Sequence, residues 1–191
     1  MPILPRDVLD FWFDPAVESR WFERDDAFDA VIRERFAGTL DAASRGELDH
    51  WDDTPEGWLA LLIVLDQFSR NIHRNDARAW SADARAQAIA EAGIARGDDR
   101  WLSPSQRLFA YMPLEHAEDL SLQQHCVKLF EHWLAELPAS ERGQFEGFLD
   151  YARRHHDVIK RFGRFPHRNA ALGRSSTPAE QAYLDSPGAG F

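Results

Sequence analysis

Apolar residues recur at the spacing of an α-helix along most of this chain of 191 residues. One stripe covers residues 28–40, a second 122–137 and a third 145–159. Steps of three and four residues put such side chains on one helix face, whereas a half-buried strand needs strict alternation. The sequence contains neither sustained alternation nor an Asn-Gly hairpin signature. It therefore predicts an all-α fold.

Capping signals predict where individual helices begin. Thr54-Pro55, Ser103-Pro104 and Thr177-Pro178 each place a capping residue before a proline at the first helical position. Gln106 and Glu180 complete capping boxes in the last two. Short connections favour antiparallel hairpins of neighbouring helices. About eight helices are predicted, at residues 5–14, 25–43, 55–72, 76–96, 104–112, 115–136, 140–162 and 178–184.

The run WLALLIVL, residues 58–65, is apolar on every helix face. A helix of this kind is buried, and the run is far too short to span a membrane. We therefore expect it to lie in the central helix of a single domain, residues 1–184. The Gly- and Pro-rich residues 185–191 are predicted to form a flexible tail.

Composition and charge exclude several classes of function. The net charge of −10 argues against general nucleic-acid binding, which depends on a basic surface. The first residues do not resemble a signal peptide or a membrane span. A lone cysteine, Cys126, cannot form an internal disulfide and fits a reducing compartment. We expect a cytoplasmic protein with no nucleic-acid or membrane partner, and the oligomeric state stays open.

The skeleton F-x-R-x-x-H-R-N occurs twice, at residues 68–75 and 162–169. Each copy follows a helical segment, and Pro166 cannot continue a helix, so both copies are predicted to be helix exits. Arginine offers a rigid fork of donors for carboxylate or phosphate, and His and Asn add further donors and acceptors. The predicted ligand-binding residues are Asp66, Arg70, Arg74, Asn75, Arg164, His167, Arg168 and Asn169.

The same polar residues also suit a buried structural network, and the sequence leaves the two alternatives about equal. Asp66 follows an enclosed apolar run and needs a partner, for which Arg70 at i+4 is the obvious choice. Residues 153–174 carry seven Lys or Arg against one acid. This basic segment either pairs with the protein's own carboxylates or attracts a small anion.

His116 and Glu118 are the predicted acid–base pair, because a neighbouring carboxylate tunes a histidine across neutral pH. Plain exposure of both near a helix start is an equal alternative. A metal would need donors from several helices, which His155, His156 and His167 could supply together with this pair. No H-E-x-x-H or similar ligand spacing occurs, and no phosphate loop of the Walker or dinucleotide type. Neither a metal nor a cofactor is therefore predicted.

Four segments of the chain read VLDFWF, LALLIVLDQFSRNIHR, YMPLEHAEDL and RFGRFPHRNAALGRSSTPAE, at residues 8–13, 59–74, 111–120 and 161–180. Together they resemble the bacterial family called domain of unknown function 924. The resemblance implies helical hairpins like the α–α superhelix of tetratricopeptide repeats, and it implies no activity. The family's usual histidine motif is His-Ser-Glu, whereas this chain has Ala117 in the middle position.

The leading hypothesis is a polar pocket that binds a small anion, a phosphate or a carboxylate, with His116 and Glu118 moving a proton if there is turnover. An alternative is a helical-repeat module that binds a peptide or protein through an apolar groove. This groove would be built from Trp12, Trp21, Trp51 or Trp101. A third hypothesis is that the polar clusters only hold the helices together.

Overall fold

The computed structural model describes residues 2–190, and every regular element within them is helical. The predicted all-α class is therefore confirmed, whereas the tetratricopeptide-like superhelix stays a prediction. Four short 3₁₀ segments lie between or after the α-helices, at Asp49–Asp53, Ala77–Trp80, Asp98–Trp101 and Pro166–Arg168. The α-helices are α1 Pro5–Trp12, α2 Pro15–Glu18, α3 Asp26–Ser44, α4 Pro55–Leu62, α5 Ser69–Ile72, α6 Asp83–Arg96, α7 Pro104–Glu115, α8 Leu120–Glu136, α9 Ala139–Arg142, α10 Glu146–Phe162 and α11 Pro178–Leu184.

The chain divides into two compact units, Met1–Pro113 and Leu114–Phe191, which are described separately below. The predicted division into one domain, 1–184, and a flexible tail, 185–191, stays a prediction. Phe191 of that tail and Met1 lie outside the described residues. Among residues 2–190, no helix combines the length and the apolarity that crossing a bilayer requires.

The first unit is built around one continuous helix. A π-helical segment, Ile63–Phe68, joins α4 directly to α5, so that the helical path covers the predicted range 55–72. Every residue from Trp58 to Leu65 has 0% exposure, which confirms the predicted enclosed helix. Helix α1 packs against α4, and α3 packs against the π-helical segment and α5.

Aromatic side chains fill the space around this helix. The ring of Phe68 stacks on Phe36, with centroids 4.7 Å apart, and meets Trp12 edge-on at 5.5 Å. Trp12 and Trp51 are 0% and 5% exposed, so they belong to the core and cannot line a binding groove. Of the four tryptophans considered for such a groove, Trp21 is half-buried and Trp101 is 81% exposed.

The second unit centres on α8 and α10, which pack against each other. Cys126, Phe130 and Trp133 on α8 are buried, and Ala152, His155 and Ile159 on α10 are buried as well. Burial raises the pKa of the Cys126 thiol well above its ordinary value, with the nearby Glu115 carboxylate adding to the effect. Cys126 is therefore an unreactive core residue, as its apolar stripe predicts.

The capping signals mark the true helix starts. The Oγ1 atom of Thr54 accepts a hydrogen bond from the N–H of Gly57 at 3.1 Å. Ser103 and Gln106 exchange a reciprocal pair of bonds, and so do Thr177 and Glu180. These three predictions are confirmed, and each rests on a local bond that satisfies an otherwise orphaned N–H group.

Two predicted helix boundaries are wrong near the functional candidates. Helix α7 does not stop at residue 112 but continues through Pro113 to Glu115. Helix α8 begins at Leu120 rather than at 115, because the Asp119 carboxylate accepts from the N–H groups of the two residues after Leu120. Residues 116–119 therefore form a connection between two helices, and His116 and Glu118 lie in that connection.

The second motif copy is a helix exit, but the stop is not made by Pro166. Helix α10 ends at Phe162, and Gly163 follows in a left-handed conformation with φ of 71°. Glycine adopts this conformation without steric cost, and it is the usual residue after a helix end. Pro166 instead opens the short 3₁₀ segment. The first copy is also a helix exit, since α5 ends at Ile72.

Gly93 on α6 tests how tightly the central helix is packed. A Cβ atom at Gly93 would clash with three atoms of the Trp58 indole ring, whose Nε1 donates to the Ile89 carbonyl at 2.8 Å. We expect Gly93→Ala to lower the free energy of unfolding by about 1–3 kcal/mol. The control is Gly38→Ala on α3, where the added Cβ meets nothing within 4 Å. It should stabilise the protein by about 0.4–1 kcal/mol in urea denaturation. Equal effects of the two changes would contradict this packing.

Candidate functional site

The first motif copy is fastened by buried carboxylates within the first unit. Arg70 lies 2.9 Å from the Oδ1 atom of Asp66 and donates to Oδ2 of Asp83 at 3.1 Å. Asp66 and Asp83 are 2% and 8% exposed. Burial disfavours the charged guanidinium, but the two carboxylates outweigh this and raise the pKa of Arg70. The predicted Asp66–Arg70 pair is confirmed.

Arg74 of the same copy binds a second buried acid on α3. Its Nε and Nη2 atoms donate to the two oxygens of Asp29, at 2.5 and 2.8 Å, and Asn71 donates to Oδ1 at 2.7 Å. Burial alone would raise the pKa of Asp29, but the bonds from Arg74 and Asn71 lower it. Arg74 is thus a fixed cation beside the helix exit.

Asn75 ends the first copy in a different way. It is exposed, and its φ of 65° lies in the left-handed region. Asparagine tolerates this region better than most residues with a side chain. The turn that follows α5 therefore gives a conformational reason for asparagine at this position.

The second motif copy is fastened in the same way within the second unit. Arg164 donates from Nε and Nη2 to the two oxygens of Glu180, at 2.6 and 2.8 Å. The Thr177 N–H donates to the same carboxylate at 2.7 Å, and Glu180 is 2% exposed. The bond from Arg164, followed by that from Thr177, lowers the pKa of Glu180 to about 2. One carboxylate therefore caps α11 and holds the exit of α10.

Glu118 is the centre of another bidentate pair. Its two oxygens accept from Nη1 and Nη2 of Arg174 at 2.6 and 2.9 Å, and Oε1 also accepts from the Phe165 N–H at 2.7 Å. Burial would raise the pKa of Glu118, but the bonds from Arg174 and Phe165 lower it. These contacts keep Glu118 ionised and give it a role in holding the backbone after the second helix exit.

Asn169 and Arg168 complete the network of the second copy. Asn169 is 1% exposed, accepts from Nε of Arg174 at 2.9 Å and donates to Oγ of Ser176 at 3.1 Å. The guanidinium of Arg168 lies 4.4 Å from the Phe165 ring centroid, and its Nη2 donates to the His116 carbonyl at 3.0 Å. Arg168 therefore ties the second copy to the connection that carries His116. His167 packs beside the same Phe165 ring.

A cluster of metal-ligating side chains lies at the end of α7. Glu115, His116 and His155 each offer one ligand atom, and these atoms all lie within 4.8 Å of one another. Nδ1 of His155 is 2.9 Å from the Tyr151 carbonyl and 3.2 Å from Oε1 of Glu115. A carbonyl oxygen only accepts, so Nδ1 carries the proton and Nε2 carries the lone pair. Burial, followed by the charge of His116, lowers the pKa of His155 to about 3, so the ring is neutral.

A cleft of about 540 Å³ lies beside the exit of α5 in the first unit. Of the eight predicted ligand-binding residues, Arg74 alone lines it. The lining combines three arginines and a histidine with two acids and three apolar residues. The residues are Arg33, Ala37, Leu40, Asp41, Ile72, His73, Arg74, Asp76 and Arg78.

Comparison with known proteins assigns the family. A family model described as a bacterial protein of unknown function, DUF924, matches residues 8–188. The chain belongs to this DUF924 family. A solved structure, that of the protein of unknown function ATU0120 from Agrobacterium tumefaciens, is 39% identical to this chain with a TM-score of 0.84. The match covers 95% of this chain and 96% of that one. No curated protein matches the sequence.

In this DUF924 protein the two motif copies belong to different units, and the contacts above are those within each unit. Sequence reasoning missed Asp29, Arg33, Glu115 and Arg174 as site residues, and it treated Glu180 only as a cap. Arg174 could have been predicted, because it is the last residue of the basic segment 153–174, whose positive charges need carboxylate partners. Asp29 gave no such signal, since an acid in an amphipathic helix is usually exposed. The roles assigned to His116, Glu118 and His167 stay predictions.

Acid should weaken the second helix exit through Glu180. Its pKa is lowered from 4.5 to about 2 on folding, so its contribution is complete above pH 4.5 and is lost as the pH falls towards 2. We expect Glu180→Gln to remove this part of the pH dependence. The measurement is the urea midpoint of parent and variant between pH 6 and pH 2.5. The parent's advantage should shrink as the pH falls, and a constant difference would contradict the pairing.

Proposed function

We propose that this protein binds a small anionic ligand, a phosphate or carboxylate compound, in the cleft beside the exit of α5. The main support is the donor chemistry of that cleft, in which Arg33, His73, Arg74 and Arg78 line one concavity. Its volume of about 540 Å³ falls in the range typical of small-molecule sites. This proposal keeps Arg74 of the predicted binding residues and adds His73 of the same motif copy together with Arg33 and Arg78 from outside it.

Two arginines of the cleft are paired with carboxylates before any ligand arrives. Arg74 is fixed by Asp29, and Arg78 donates from Nε and Nη2 to the two oxygens of Asp76 at 3.1 and 3.0 Å. Fixed side chains lose less conformational entropy on binding, which favours affinity. The carboxylates neutralise part of the positive charge of the arginines. The site therefore suits an anion whose oxygens can accept hydrogen bonds from the arginine N–H groups.

Arg33 brings a positive charge to the cleft, and no carboxylate that lines the cleft forms an ion pair with it. Its Nη2 donates to the Ile72 carbonyl at 2.8 Å, and Ile72 is the last residue of α5. A guanidinium has five N–H donors, so this single bond leaves most of its capacity for a ligand. Asp41 lines the same cleft, and its carboxylate would repel a ligand with many negative charges. A ligand with one or two negative charges fits this balance best.

His73 adds a titratable group at the rim of the helix exit. Burial, followed by the charge of Arg78, lowers the pKa of His73 from its ordinary value and so favours the neutral ring. A bound anion would favour the protonated ring and raise this pKa. Ligand binding should therefore be accompanied by proton uptake at this ring. The cytoplasmic location and the partners given above remain expectations.

Inorganic phosphate and succinate are the first probes. At constant ionic strength, each should raise the melting temperature of the parent protein relative to sodium chloride. Arg33→Gln should weaken the binding of these probes about tenfold or more, because a charge-assisted bond contributes about 1.5–3 kcal/mol. Isothermal titration gives the dissociation constants directly.

The matched control is Arg100→Gln, which removes the same charge from another exposed position of the first unit outside the cleft. It should leave the affinity for phosphate and succinate nearly unchanged. Equal losses in the two variants would mean that the probes respond only to net charge. That result, or no effect of either anion on the parent protein, would overturn the proposal.

A further inference from the structure

We propose that Glu115, His116 and His155 form a binding site for a divalent transition metal of the zinc class. Their ligand atoms lie within 4.8 Å of one another, on the last residue of α7, the residue after it and the middle of α10. Two imidazoles and a carboxylate are a donor set that zinc-class ions accept at about 2.0–2.2 Å. Small side-chain rotations close the remaining gap, since ligands of a tetrahedral ion are roughly 3.5 Å apart.

The hydrogen bonds of His155 select the ring nitrogen that would bind the ion. Nδ1–H faces the Tyr151 carbonyl at 2.9 Å, and therefore Nε2 holds the lone pair. Metal-bound histidines usually donate their other N–H to a carbonyl or a carboxylate, which fixes the ring and makes it a better ligand. Glu115 lies 3.2 Å from the same Nδ1. Because the Tyr151 carbonyl accepts this proton, the Glu115 carboxylate can rotate to coordinate the ion.

The backbone around the cluster is held by buried side chains. Gln123 is 0% exposed, and its Nε2 donates to the carbonyls of Glu115 at 2.5 Å and Ala117 at 2.9 Å. Arg168 donates to the His116 carbonyl at 3.0 Å. The three consecutive carbonyls of residues 115–117 are thus held by hydrogen bonds from side chains on two different elements of the second unit. Ligands on a backbone fixed in this way lose little freedom when the ion binds.

Burial and charge of the cluster also suit a dication. Glu115 and His155 are 5% and 4% exposed, whereas His116 is half-buried and gives solvent a route to the cluster. One carboxylate and two neutral imidazoles leave a net positive charge on the bound ion. Three protein ligands leave a fourth position for water, the arrangement of catalytic rather than structural zinc sites. This site lies in the second unit and does not depend on the anion cleft.

The test uses the full chain after dialysis against a chelator, with Co²⁺ as the probe and Zn²⁺ as competitor. One equivalent of Co²⁺ should give the visible absorption of a four- or five-coordinate ion, and Zn²⁺ should displace it. His116→Gln and Glu115→Gln should each weaken Co²⁺ binding about tenfold or more. The half-buried His116 makes the first variant safe for folding, which the metal-free urea midpoint verifies.

The matched control is His132→Gln on α8, where an exposed histidine lies 3.2 Å from Glu136 and offers a competing surface pair. It should leave Co²⁺ affinity unchanged. The proposal is overturned if the parent binds no Co²⁺ at millimolar concentration, if His116→Gln binds as tightly as the parent, or if His132→Gln abolishes binding.

Discussion

Arginines paired with buried carboxylates hold both helix exits, and the polar architecture of each unit depends on these pairs. In the first unit Arg70 joins Asp66 to Asp83, and in the second Arg164 joins the end of α10 to Glu180 on α11. A charge removed from water needs a partner of opposite sign and further hydrogen bonds. Because these carboxylates lie at most 8% exposed, the arginines are required by the fold before any ligand is considered.

Much of the fold could be predicted because its signals are local. The caps at Thr54 and Thr177 and the apolar run before Asp66 act within a few residues, and each marks an element correctly. Helix ends that depend on competing signals could not be predicted. Pro113 predicts a stop, yet α7 continues past it to Glu115, and the cap at Asp119 sets the start of the next helix. The division into two units left no mark in composition.

The candidate site was less predictable than the fold, because the same motif residue has different structural roles in the two copies. Asn75 is exposed in a left-handed turn, whereas Asn169 is buried and hydrogen-bonded on both sides of its amide. The partners of the arginines come from distant positions, such as Asp29, that sequence spacing does not reveal. Several of the groups proposed to bind a ligand lie outside the motif. Arg33 in the cleft and Glu115 beside His155 are the principal examples.

The central claim, that the motif arginines are held by buried carboxylates, is tested most directly by the urea denaturation of Arg70→Met. Losing the partner of buried Asp66 and Asp83 should cost about 3–5 kcal/mol at an unchanged denaturant slope. Arg78→Met is the control, since its pair with Asp76 is exposed, and its midpoint should barely move. Comparable, small shifts in both variants would contradict the account and return Arg70 to the candidates for ligand binding.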